Sequence, residues 1–260
     1  MNKPINILTN HLINFTLHLA DNTLIISHKN SEWCGHGPIL EQDIALTNIA
    51  LDLLGQARNF YQYTATLINQ SSNQPIDIAT EDSLAYLRDV LDYKNCLLAE
   101  QPNGDWATTI LRQFFFSTYQ YYLYQQLQNN NDEQIKAIAV KALKEVTYHL
   151  RWSSEWVIRL GDGTDESKKR LQNALDGLWN FTAELFEPVD YELHQNIDFI
   201  LLKQQWTEKV SAIFKEATIT IPAETKWHQS GGKNGIHSEH LGYMLAEMQF
   251  LQRAYPNAEW

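Results

Sequence analysis

Between Glu41 and Asn69 the side chains that favour burial return every three or four positions without a break. Ile44, Leu46, Ile49, Ala50, Leu53, Ala57, Phe60, Thr64, Leu67 and Ile68 form the stripe, with Asp43, Asp52 and Arg58 set between them. That period is helical. At 1.5 Å per residue the helix is about 40 Å long. A helix of this length draws its stability from a buried stripe, which calls for partners of similar length. The feature suits a long bundle and argues against a compact α/β domain.

Three further segments supply those partners: Leu8–Ser27, Trp106–Gln128 and Glu133–Leu160. Asp105 reads as an N-cap for the second of them. The third carries the stripe Ile135, Ile138, Ala139, Ala142, Val146, His149, Trp156 and Leu160, and Gly161-Asp162-Gly163 stops it before Thr164 starts the next helix. Shorter helices are expected over 80–100, 168–186, 198–216 and 237–253, with polar breaks at Gln70–Pro75 and Gln101–Gly104. Thr218-Ile219-Thr220-Ile221 is the one β-like fragment. With 11 Gly and seven Pro mostly gathered at a few breaks, and 44% hydrophobic residues, the chain reads as all-α. The expected architecture is a four-helix bundle with additional peripheral helices, in a single domain spanning 1–260.

Several function classes drop out. A net charge of −11 is wrong for a phosphate-backbone partner, so no nucleic acid is expected. Two Cys, Cys34 and Cys96, make no disulfide framework. The N-terminal segment lacks the clean apolar core of a signal peptide, and no stretch approaches the roughly 18 apolar residues of a membrane span. A soluble cytoplasmic protein is the expectation. Gly231-Gly232-Lys233 lacks the upstream Gly and following Ser or Thr of a phosphate loop, and reads as a flexible loop. Cys34-Gly35-His36 has no orienting acid and reads as a structural loop, and Cys96 as a buried thiol.

Metal binding is the serious chemical option, because long four-helix bundles house di-iron carboxylate sites. Such a site takes a Glu from each of two helices and a Glu-x-x-His from each of the other two. Residues three apart share a helix face, so carboxylate and imidazole converge on one ion. The chain has 31 Asp and Glu and nine His, yet no acid stands three residues before any His. Val146 with His149, and Leu53 with Gln56, occupy that spacing on inward stripes instead. His149 is therefore expected to be a core histidine, hydrogen-bonded to Gln56 or Glu145. His237-Ser238-Glu239-His240 reads as a polar helix start. The segment from Phe114 to Tyr124 is apolar all round, so it is either buried in this chain or partly covered by a partner. Its Tyr content favours the partner.

These residues also carry a resemblance. Glu32-Trp33-Cys34-Gly35-His36, Asp43–Leu46, Asn48–Asn59, Glu100–Asp105, Leu160–Thr164 and His237–Gln249 are similar, in order and on to Trp260, to the C-subunit family of bacterial phenylacetyl-CoA epoxidases. The resemblance implies a ferritin-like fold. It implies a multicomponent monooxygenase in which a related catalytic subunit holds the di-iron centre and a reductase passes electrons from NADPH. A member of this family would be the catalytically silent, supporting partner, with no cofactor of its own. Carried over by position, the catalytic relative's first Glu-x-x-His falls on Leu53 and Gln56, and the second on Val146 and His149. Its third-helix carboxylate falls near Ser117, and its first-helix carboxylate near Asp21. At most two of six ligands, Asp21 and His149, survive. Leu53 and Val146 would then plug the vacated cavity, leaving Gln56, Ser117 and His149 as a hydrogen-bonded remnant. Two rival expectations stand beside this one: an independent di-iron oxidase with displaced ligands, and an acyl-CoA-binding module built on the aromatic helix and the Gly231–Gly235 loop.

Overall fold

A computed structural model describes residues 7–71, 78–222, 227–256 and 258. Most of the expected Gln70–Pro75 break and the terminal Trp260 lie outside the described residues. Ten α-helices and no strand occur among the described residues. In chain order they are α1 (Ile7–Ser31), α2 (Leu40–Ser71), α3 (Glu81–Tyr86), α4 (Leu97–Glu100) and α5 (Trp106–Leu127). There follow α6 (Glu133–Gly161), α7 (Asp165–Leu178), α8 (Phe199–Glu216), α9 (Glu239–Met248) and α10 (Phe250–Ala254).

The four long helices, α1, α2, α5 and α6, form the bundle. α1 packs along α2, and α5 along α6. Five side-chain hydrogen bonds then tie α2 to α6 and its capping residue Asp132. The indoles of Trp152 and Trp156 both donate to the amide oxygen of Gln42 (3.0 and 2.7 Å). Asp52 meets His149 (3.0 Å), Gln56 donates to Glu145 (2.9 Å), and Tyr63 donates to Asp132. Numbers rise on α2 as they fall on α6, so the two helices run antiparallel. Gln42→Ala leaves two indole N–H groups without their acceptor and is expected to cost about 1–3 kcal/mol, read by urea denaturation.

The helix starts follow from capping chemistry. Asp105 accepts from the Thr108 amide, Asp132 from the Gln134 and Ile135 amides, and Thr164 forms a reciprocal pair with Ser167. At the end of α6, Gly161 is required by close approach, since a Cβ there would stand 2.1 Å from the Ala217 carbonyl oxygen at the end of α8.

Four expectations change. The helix expected over 80–100 is broken into α3, a single 3₁₀ turn at Val90–Asp92, an extended piece and α4. Side chains of α1 compete for its backbone: Asp21 takes the Lys94 amide (2.8 Å), Asn22 takes the Cys96 amide (2.8 Å), and His18 bonds the Lys94 carbonyl (2.7 Å). Groups satisfied by α1 have no need of i−4 partners. The helix expected over 168–186 gives way after Leu178 to two 3₁₀ turns.

The β-like fragment at 218–221 is no strand. Thr218 adopts a left-handed backbone (φ 55°) and the Ile219 amide bonds back to the Phe214 carbonyl (2.9 Å), closing α8 as a Schellman cap. Finally, the aromatic stretch of α5 does not await a partner. Phe114, Phe115, Phe116, Tyr119 and Tyr124 are all buried. Phe114, Phe115 and Tyr119 pack against Phe186, Trp179, Trp206 and Phe214 from α8 and the turns before it, and Tyr124 against Phe60 of α2. Only Tyr121 and Tyr122 reach the surface in part. Periodicity alone could not separate burial under α7 and α8 from burial under another chain.

Candidate functional site at the centre of the bundle

Each of the six positions where the resemblance would place a di-iron ligand is buried, none more than 2% exposed. They divide into three separate arrangements. In the first, along the seam between α2 and α6, Gln56 donates to Glu145 while its own carbonyl oxygen faces Tyr124 (3.4 Å) and Gln120 (3.5 Å). One turn away, His149 Nε2 meets Asp52 (3.0 Å), and His149 Nδ1 is buried without a partner. The partner expected for His149 was Gln56 or Glu145; the structure gives Asp52 instead. The reason is register. Asp52 and Gln56 stand four apart on α2, His149 and Glu145 four apart on α6, and antiparallel packing pairs them as 52 with 149 and 56 with 145.

In the second arrangement Ser117 accepts from Gln113 (2.7 Å), whose amide oxygen accepts from Asn30 on α1 (2.7 Å). The third holds Asp21, whose carboxylate takes the Tyr61 hydroxyl, the Arg88 guanidinium and the Lys94 amide. The expected remnant is therefore not a single network. Gln56, Ser117 and His149 each bond to other groups rather than to one another. Burial pushes the Tyr124 phenol up, so it stays protonated beside Gln56.

The donor set does not fit a di-iron centre. Leu53 and Val146, both fully buried, put hydrocarbon where carboxylates would have to balance and bridge the ions. Asp52 and Glu145, acids on these two helices, are committed to His149 and Gln56. Among the described residues, no three His, Cys, Asp or Glu side chains are grouped so that they could hold a metal ion.

Periodicity and motif spacing did not reveal a second buried polar region, where the loop after α8 meets α1 and α4. Lys233 is fully enclosed, not part of a flexible loop, and its ammonium bonds Glu192 (3.0 and 3.2 Å) and the Leu185 and Glu187 carbonyls. Glu184 binds the Gly231 amide (2.8 Å) and the Leu97 amide (2.6 Å), and burial raises its pKa. Gly232 is needed here because a Cβ would lie 2.4 Å from the Asn95 carbonyl oxygen. Burial lowers the pKa of His18, against the pull of Glu192 3.5 Å away. Cys96 is a buried thiol that burial holds protonated.

His237 precedes α9, which starts at Glu239, and bonds Glu100 (2.9 Å) and the Tyr93 carbonyl (2.9 Å). Burial pulls its pKa down, but the hydrogen bond and charge of Glu100 outweigh that and hold it above the ordinary value. A raised folded pKa means more protons bound when folded. The stabilisation is therefore complete below about pH 6.5 and is lost as pH rises through the folded value. The stability gap between the chain and His237→Asn is expected to be widest at about pH 6 and to narrow on the alkaline side. Urea melts across about pH 5.5–9 read this directly; His18 is common to both and cancels.

Known proteins share this frame. The chain matches the family described as phenylacetic acid catabolic protein over residues 2–260. It is 47% identical over 256 residues to the C subunit of 1,2-phenylacetyl-CoA epoxidase from Escherichia coli (strain K12), covering 96% of this chain and 100% of that relative. With its helical bundle matched over nearly its whole length, the chain belongs to the phenylacetic acid catabolic protein family.

Proposed function

We propose that this chain is the non-catalytic, structural subunit of a phenylacetyl-CoA 1,2-epoxidase in aerobic phenylacetate degradation. It binds and stabilises the di-iron catalytic subunit and carries no cofactor of its own. The reductase serves the catalytic subunit and reaches this chain only indirectly, and the assembly works in the cytoplasm. The observation that carries the reading is buried hydrocarbon: Leu53 and Val146 are fully enclosed at the two positions onto which the resemblance carries metal-binding carboxylates. No helix among the described residues is long and apolar enough to cross a membrane.

The acyl-CoA-binding alternative loses the two features that suggested it, since the aromatic helix is core and the Gly231–Gly235 segment is locked by Glu184 and Glu192. An independent oxidase would have to find new ligands in place of Leu53 and Val146. The test is co-expression with the catalytic subunit, followed by size exclusion, iron analysis and an epoxidation assay. We expect co-elution, iron only in the partner, and loss of soluble, active catalytic subunit when this chain is omitted. Near-stoichiometric iron in this chain alone, or full activity without it, would sink the reading.

A further inference from the structure

The bundle spends one face of α2 on its core, yet α2 carries a second apolar row facing away from it. Leu40, Ile44, Leu51 and Leu54 are 70, 51, 60 and 41% exposed. Ile44 and Leu51 are seven apart and share a helix face, and Gly55 follows Leu51 by one turn. Gly55 is exposed, sits mid-helix without a left-handed backbone, and an added Cβ would meet nothing within 4 Å. Neither conformation nor packing within the chain asks for glycine there, and glycine weakens a helix interior. What it does provide is bare backbone that another element can approach closely.

The neighbouring helix supplies a charge border. On α6, Lys141, Lys144, Arg151 and Arg159 are exposed beside an exposed Glu155, in a chain whose net charge is −11. The acids at the seam, Asp52 and Glu145, turn to His149 and Gln56. Tyr148, 39% exposed, adds an aromatic ring on α6 beside His149, with the Arg151 guanidinium over it. An apolar strip with a basic rim, on a protein that is otherwise acidic, is complementary to an apolar helix bordered by carboxylates.

We propose that the outer face of α2 and α6 docks the catalytic subunit of the epoxidase, through a partner helix with an apolar seam and an acidic border that crosses at Gly55. The inference rests on the subunit reading above. The experiment uses the full chain, titrated against the purified catalytic subunit, with Leu51→Glu, Gly55→Leu and a Lys141→Glu/Lys144→Glu pair. Phe250→Glu, in an exposed apolar patch elsewhere on the chain, is the control. Leu51→Glu and Gly55→Leu are expected to weaken binding at least tenfold. The isolated chain should keep its Tm in the first and gain in the second, which separates docking from folding. The charge pair should slow association several-fold and flatten its salt dependence, and Phe250→Glu should bind like the parent.

Parent-like affinity in both α2 variants, with the parent complex intact, overturns this face and leaves the subunit reading standing. A parent chain that does not bind the catalytic subunit overturns both. A homodimer of this chain that Leu51→Glu splits, with affinity for the catalytic subunit untouched, assigns the face to a second copy and overturns the proposal.

Discussion

Leu53→Glu is expected to destabilise the chain by about 3–4 kcal/mol at pH 7 through proton uptake alone. Full burial raises a carboxyl pKa by about 3–5 units, to about pH 7 or above, so folding must protonate a group that ionises near about 4.3 when unfolded, at about 1.36 kcal/mol per unit. The side chain is fully enclosed within the hydrophobic core that also holds Val146. The sign follows from proton binding. A carboxyl with a raised folded pKa binds its proton more tightly when folded, so the deficit shrinks as pH falls and is smallest below about pH 4. Urea titrations at about pH 5 and 7 should show the difference. Added Fe(II) should not rescue this single variant, because Val146 and Gln56 still provide no anionic ligand opposite the new one. A loss under about 1 kcal/mol would mean that the centre is wet and open rather than packed.

Lys233→Ala is the second large effect, expected at about 3–5 kcal/mol, the cost of leaving one partner of a buried ion pair uncompensated. Its ammonium balances Glu192 and satisfies two main-chain carbonyls, so removal strands three acceptors at once. Lys233→Met keeps the stem and isolates the charge. Pairing it with Glu192→Gln should recover a good part of the loss, because the stranded carboxylate goes with it. Thermal and denaturant melts of the four-member cycle give the coupling. Additive losses in the double variant would show that the pair does not act as a unit.

The two variants probe different kinds of legibility. Leu53 and Val146 could be read as inward and apolar from helical spacing alone, because a buried stripe leaves its period in the chain. The same spacing showed that no acid precedes a histidine by three. Lys233 left no such trace. A lysine in a Gly-Gly-Lys-Asn-Gly segment looks solvated, and only the meeting of Glu184 and Glu192 with that loop reveals a core residue. Asp21 shows the same limit in reverse. Position placed it loosely with the metal ligands, while its contacts put it with Arg88 and the extended piece at 93–96.

The helical class, the four long helices, the Asp105 cap, the Gly161–Gly163 stop and the absence of every Glu-x-x-His pairing can all be read from the chain without its fold. Those are local properties, written in periods of three and four residues and in single capping side chains. Packing settled which groups of distant helices meet. It matched His149 with Asp52, broke the 80–100 segment against α1, and buried the aromatic face of α5 under α8. It also left the second face of α2 bare. The physical reason is that hydrogen-bond partners and burial across a bundle depend on helix register and order, and no residue carries that information within its own turn.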